Sequence, residues 1–354
     1  MNFVYSSQAS RVRFGVGARN ELSAELDALG WQRVMVIATA REAELAREIA
    51  TDDRVVVHFD DAQVHVPHAV VEQATKLAKS YQVDATVSVG GGSTVGLSKM
   101  LSLKLGLPSL AVPTTYAGSE MTPIWGTTHG DEKTTGRDPK VKPTAIIYDP
   151  ELTLTLPMSI TGPSAMNAMA HAIEALWAID TSPVSDLMAV EGIRALGAAL
   201  PVLAKNDQDL EARTGALYGA WLCGTVLGQC SMALHHKLCH VLGGTFNLPH
   251  ADVHALVLPY ALAYNAPGIP AAIEKIAGAL GCEPSQTADY LKDLAIQLGA
   301  PASLDAMGVR ADQLGRAVEL ASKNPYANPV AITADGIQAL IAQIHRGTRP
   351  SSEI

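Results

Sequence analysis

Six histidines fall between residues 171 and 254, and their spacing is the most chemically suggestive feature of the chain. Asn167 and His171 stand four apart in a stretch of helical character, which sets them on one helix face, and His236 and His240 repeat that interval. His250 follows the breakers Gly243-Gly244 and Asn247-Leu248-Pro249, so the chain can turn back and carry it toward the same place. A lone histidine on an apolar helix is ordinarily a core residue with a satisfied hydrogen bond. Two paired intervals and a fifth member point instead to a cluster, either a transition-metal site or a set of proton donors and acceptors. The residue sharing the face of His171 is an amide, Asn167, which weakens a cation site at its one anionic position. Glu174, three residues beyond His171, either replaces that missing anion or, the favoured reading, caps or pairs elsewhere on the helix. His235 and His254 adjoin the cluster at spacings that predict an outer position. Lys237 is one step from His236, and with Arg137 and Lys140 it is either a solvated cation or one that captures an anion.

A second constellation lies upstream. The apolar run Ala85–Val89 leads into Gly90, Gly91, Gly92, Ser93 and Thr94, which open a helical stretch. Glycines there let a backbone approach a pyrophosphate, and a helix N-terminus offers unpaired N–H groups and the positive end of its dipole. The loop is neither a Rossmann fingerprint, with Val95 at the sixth position, nor a Walker loop, with Leu97 where the lysine would stand. The alternative is a tight strand-to-helix turn without a ligand. A further polar loop, Pro113 to Glu120, follows the next strand. Its Thr114, Thr115, Tyr116 and Ser119 could bond ribose or phosphate, or form a turn capped at Ser119.

The elements that must position these residues divide the chain in two. β-Branched runs at Val34–Ala38, Arg54–Phe59, Ala85–Val89, Ser109–Val112 and Ala145–Tyr148 alternate with helical stretches at Glu42–Ala50, Val70–Ser80 and Thr94–Leu105. That alternation predicts an α/β domain with a parallel sheet over 1–158. Beyond Pro150 the β-branched runs disappear and apolar residues recur at helical spacing almost to Arg346, which predicts an all-helical domain over 159–354 carrying the histidine cluster. Helix stops are expected at Pro201, Gly243-Gly244, Pro267–Pro270 and Asn324–Pro329.

Composition removes several function classes. With 354 residues, 48% of them hydrophobic, the chain can bury a large core and is not mainly disordered. No apolar run reaches the ~18–20 residues of a membrane helix, and residues 1–19 lack the apolar core of a secretory signal. The four cysteines, Cys223, Cys230, Cys239 and Cys282, show no paired spacing, as expected of a cytoplasmic protein. A net charge of −9 without basic runs argues against a nucleic-acid partner, and obliges any anionic substrate to be captured by a local positive site.

Together these residues resemble the iron-containing alcohol dehydrogenase superfamily, whose fold relatives include dehydroquinate synthase and glycerol dehydrogenase. The resemblance runs from Arg11-Val12-Arg13-Phe14-Gly15 to Asn328-Pro329. It rests on GGGSTVGLSK, PTTYAGSEMTPIWG, KTTGRDPKV, MNAMAHAIEALWA, HHKLCHVLGGTFNLPH and NPYANP. It implies the dehydroquinate synthase-like fold, a homodimer and an NADH or NADPH cofactor, with the pyrophosphate on Gly90–Thr94. Lys133 and the Asp149–Thr153 segment with Leu152 also fit the family's nucleotide pattern, and Thr39 occupies a position where NAD-selective members often carry an acid. The family's metal quartet falls on Asn167, His171, His236 and His250, and its additional active-site histidine on His240. The strings are most similar to the branch that reduces the C=C bond of maleylacetate to 3-oxoadipate in aromatic-compound catabolism. With an amide at residue 167, the expectation is that no metal is required. His171, His236, His240 and His250 are then catalytic with Asn167 and Lys237, while Arg137, Lys237 and His240 bind a small dicarboxylate. The alternatives are a metal-dependent alcohol dehydrogenase, a dehydroquinate synthase-like lyase and a non-catalytic nucleotide binder.

Overall fold

The computed structural model describes residues 3, 5, 7, 8, 10–130, 132–323 and 326–352, the side chains of 132 and 133 excepted. Within it the chain forms two compact units, which meet in sequence at 156/157.

Residues 6–156 build a six-stranded parallel sheet. Its strands are β1 (Arg11–Phe14), β2 (Val34–Ile37), β3 (Val55–Phe59), β4 (Ala85–Gly90), β5 (Ser109–Pro113) and, after a hairpin of β6 (Ile124–His129) and β7 (Glu132–Arg137), β8 (Ala145–Tyr148). The order is β1-β8-β5-β4-β2-β3. Helices α1 (Leu22–Leu29), α2 (Ala43–Ile49), α3 (His68–Ser80) and α4 (Gly92–Leu105) are interspersed with the strands. Runs such as Val34-Met35-Val36-Ile37 are buried throughout, as strands covered on both faces must be. Because the strands are parallel, the carboxyl ends of β2, β4 and β5 lie along one edge, where open α/β sheets bind ligands.

The described residues from 157 onward are built on helices: α5 (Met158–Ala175), α6 (Pro183–Leu203), α7 (Leu210–Gln229), α8 (Leu234–Phe246), α9 (His250–Asn265), α10 (Pro270–Leu280), α11 (Thr287–Gln297), α12 (Leu314–Ser322) and α13 (Ala334–Arg346). From Thr161 to Ala175, α5 is buried on every face. It is seated by a close approach at Gly162, where a side chain would bring Cβ within 2.3 Å of the Leu298 carbonyl oxygen.

Two expected stops differ. Pro201 lies inside the last turn of α6, and Gly243-Gly244 lie inside α8, which ends instead at Asn247 in the left-handed conformation (φ 52°). The break before Pro270 is present, whereas the expected stop beginning at Asn324-Pro325 falls partly outside the described residues.

Candidate active site

At the carboxyl edge of the sheet, Gly90 has φ 137° and a side chain there would place Cβ 2.5 Å from a Glu42 carboxylate oxygen. Glycine is therefore obligatory at that point. Gly91 is the extended N-cap of α4, and Thr94 turns its hydroxyl back to the Gly91 carbonyl at 2.9 Å. No acidic side chain occupies the first turn, so the N–H groups of Gly92, Ser93 and Thr94 form an anion-attracting helix terminus. Glu42 accepts hydrogen bonds from Thr39 and from Thr114, each at 2.9 Å, and so joins the loops after β2 and β5. Thr115 packs against Gly91, and Tyr116 is buried.

The cap of the second loop is Gly118, and Ser119 is instead tied to a buried ammonium. Lys99 donates to the carbonyls of Ser119 (2.6 Å) and Ile124 (2.7 Å), to the Thr122 hydroxyl (3.0 Å) and, at 3.3 Å, to the Ser119 hydroxyl. Burial pushes Lys99 down to about 7, with the Glu120 charge opposing. Leu152 is a core residue and Arg137 stands exposed on β7, while the Lys133 side chain lies outside the described residues.

In the helical unit α5, α8 and α9 bring three buried imidazoles together. One ring nitrogen from each of His171, His236 and His254 lies within 4.8 Å of the others, and Asn167 sits one turn before His171 with its Oδ1 buried and unpartnered. The expected outer position of His235 and His254 is corrected here. Their side chains are the most buried of the group, because α9 turns His254 inward one turn beyond His250. His240 and His250 are the exposed pair, their rings 6.2 Å apart.

Hydrogen bonding assigns the tautomers. The His254 carbonyl can only accept, so the Nε2 of His235, 3.0 Å away, carries its proton and the Nδ1 is bare. His236 Nδ1 therefore donates, to Glu174 Oε2 at 2.7 Å and more weakly to His235 Nδ1 at 3.3 Å. Its Nε2 is left as an unpartnered lone pair, and buried nitrogens of His171 and His254 are unpartnered too. Glu174 is thus neither cap nor distant ion pair. It receives the His235 backbone N–H at 2.7 Å and orients His236 from behind, as outer-shell carboxylates do at metal sites. Burial, reinforced by the neighbouring imidazoles, pushes His171, His236 and His254 well below the ordinary histidine value and His235 to about 4. Neutral imidazoles with aligned, unpartnered nitrogens, beside an amide oxygen, are a donor set that fits a divalent transition metal.

Beside this cluster, α8 contributes Lys237, His240 and Thr245, and α12 with its C-cap contributes Arg316, Leu320 and Lys323, to a groove of about 650 Å³. The Lys237 ammonium lies 5.9 Å above the ring of Tyr326.

Comparison with known proteins accords with both halves of this description. Residues 9–150 match the model of the iron-containing alcohol dehydrogenase family, and residues 161–345 that of the C-terminal part of the Fe-containing alcohol dehydrogenase family. A maleylacetate reductase of Sphingobium indicum is 50% identical over 99% of each chain. The crystal structure of a maleylacetate reductase from a Rhizobium strain superposes with a TM-score of 0.95 at 44% identity, covering 99% of both chains. An iron-containing alcohol dehydrogenase of Corynebacterium glutamicum gives a TM-score of 0.93 at 40% identity, over 98% of this chain and 97% of that one. These matches overturn the expectation that no metal is required, since the family is one of iron-containing enzymes. The physical ground is also plain: the amide at residue 167 removes a charge but leaves three imidazole donors in place, with Glu174 behind them.

Proposed function

Since the chain belongs to the iron-containing alcohol dehydrogenase family, we infer that it reduces the C=C bond of maleylacetate to 3-oxoadipate with NADH or NADPH. The observation that carries this is its full-length likeness to maleylacetate reductases, at 50% identity over 99% of the chain. The alkene of maleylacetate is conjugated to a ketone. Hydride from the nicotinamide therefore adds to the carbon β to that ketone, and charge develops on the ketone oxygen as an enolate. The protein must bind the two carboxylates, stabilise that oxygen and deliver a proton to the adjacent carbon. The buried imidazoles are held neutral by burial, so they are poor acids at neutral pH. Donation to the oxygen and protonation of carbon accordingly fall to His240 and Lys237, which line the groove. His171, His236 and His254, with Asn167, would hold the iron, which supplies a Lewis acid when bound. Glu174 keeps His236 in the tautomer that ligation needs.

The test is oxidation of NAD(P)H by purified protein with fresh maleylacetate. Stoichiometric consumption supports the reading and excludes a lyase that regenerates its cofactor, whereas turnover of alcohols alone overturns it. His240→Ala is expected to lose ~100-fold or more in kcat with the dinucleotide dissociation constant unchanged. Loss of dinucleotide binding instead would remove His240 from the chemistry. The dinucleotide's pyrophosphate is assigned to the N-terminus of α4. Gly91→Val, whose side chain presses on Thr115, is expected to raise the dinucleotide KM about tenfold, equivalent to roughly one charge-assisted hydrogen bond. An unchanged KM in a folded variant would clear the loop of that role. No described helix is long and apolar enough to cross a membrane. A cytoplasmic homodimer is the assembly and location this reading carries.

A further inference from the structure

The groove between α8 and α12 has an electrostatic character that the protein as a whole lacks. Lys237, Arg316 and Lys323 line it with His240, and among the described residues no carboxylate does. Glu319, one turn from Arg316 on α12, accepts a hydrogen bond from Arg316 at 2.8 Å and another from Lys323. That single carboxylate ties the two cations to one helix face without neutralising them. Three cations against one anion leave the groove with two positive charges, on a chain whose net charge is −9. Maleylacetate at neutral pH is a dianion. The surface at large repels it twice as strongly as it repels a monoanion, and the groove attracts it by the same doubled factor.

We propose that Arg316 and Lys323 are specificity-determining residues that draw a dicarboxylate into this groove, beside Lys237 and His240. The inference rests on the reading of the protein as a maleylacetate reductase. Both side chains remain more than half exposed, so they act through their field and not through a dry contact. Their influence must therefore fade with salt, because the Debye length shrinks from about 30 Å at 0.01 M to about 3 Å at 1 M. It must also favour a dicarboxylate over a monocarboxylate of the same skeleton. Glu319 opposes the attraction, so its removal acts in the other direction.

The experiment compares kcat/KM for maleylacetate between about 0.02 and 0.5 M salt in the wild type, in the double variant Arg316→Gln/Lys323→Gln and in Glu319→Gln. The double variant is expected to lose about five- to tenfold in kcat/KM at low salt and to converge on the wild type at high salt. The loss should appear in KM, with kcat and the dinucleotide KM within about twofold. Glu319→Gln is expected to raise kcat/KM at low salt by about twofold. That opposite sign cannot come from mere damage to α12, which would lower it in both variants. A double variant with unchanged kcat/KM and salt slope, or a Glu319→Gln that moves in the same direction, overturns the groove assignment alone. A wild type that consumes no NAD(P)H with maleylacetate overturns the underlying reading together with it.

Discussion

His254→Ala is expected to release the bound metal, with affinity for Fe²⁺ falling ~100-fold or more, beyond the ~10–100-fold typical of changes behind the ligands. His254 is fully buried, neither ring nitrogen has a partner, and the nitrogens of His171 and His236 face the same point. An unpaired buried polar atom costs about 1–3 kcal/mol, so orphaned nitrogens that converge on one point are sustained by what they bind. Glu174→Gln, which keeps the shape of the contact to His236 but weakens its polarity, should fall within the ~10–100-fold range. Metal content per chain after passage over a chelating resin reads both effects without reference to turnover. The resemblance of the sequence implied His250 as the third histidine ligand, and His250 is exposed in the structure. Retention of metal by His254→Ala together with its loss in His250→Ala would restore that set and refute the one drawn from geometry.

Acid should unfold the metal-stripped protein unusually early. His171, His235, His236 and His254 have folded-state values below the ordinary ~6.5 of an unfolded histidine. Between the two values the unfolded chain binds more protons, so stability falls as pH drops below about 6.5 and is flat above it. For His235 the window closes near pH 4. Each group contributes about 1.4 kcal/mol per pH unit within its window, so four in parallel approach about 5 kcal/mol per unit. Burial raises Glu174, which works in the opposite sense just above the ordinary carboxyl value, one group against four. Urea midpoints measured from pH 7.5 to 5 check this. A midpoint that stays level across that range would mean that the imidazoles are not held neutral.

What the sequence made legible follows the strength of local patterns. β2, β4, β5 and β8 are buried on both faces and read as unbroken apolar runs. β1 escaped because Arg11 and Arg13 interrupt it. Their charges are met chiefly by Glu25, buried on α1 and bonded to both at 2.5 and 2.7 Å, with Glu21 3.8 Å from Arg13. The β6–β7 hairpin alternates threonine with glycine and charge, and its turn at Gly130 (φ 58°) has no apolar frame to announce it. In the histidine cluster, the four-residue interval that singled out 236 and 240 applies equally to 250 and 254. Applied there, it would have found His254. Glu174 was legible as a residue but not as a partner, since its contact with His236 spans 62 positions and exists only once α5 and α8 are packed.

The fastening of Lys99 bears on how the enzyme cycles. Its ammonium bonds span Ser119 to Ile124, the end of the second polar loop and the residues just after it, from inside the domain. A loop left slack would have to be immobilised each time a dinucleotide arrives and loosened each time one departs. Here that ordering entropy is incurred once, when the domain folds. If this loop binds the dinucleotide as proposed, exchange of spent for fresh cofactor requires no refolding of the stretch that Lys99 holds.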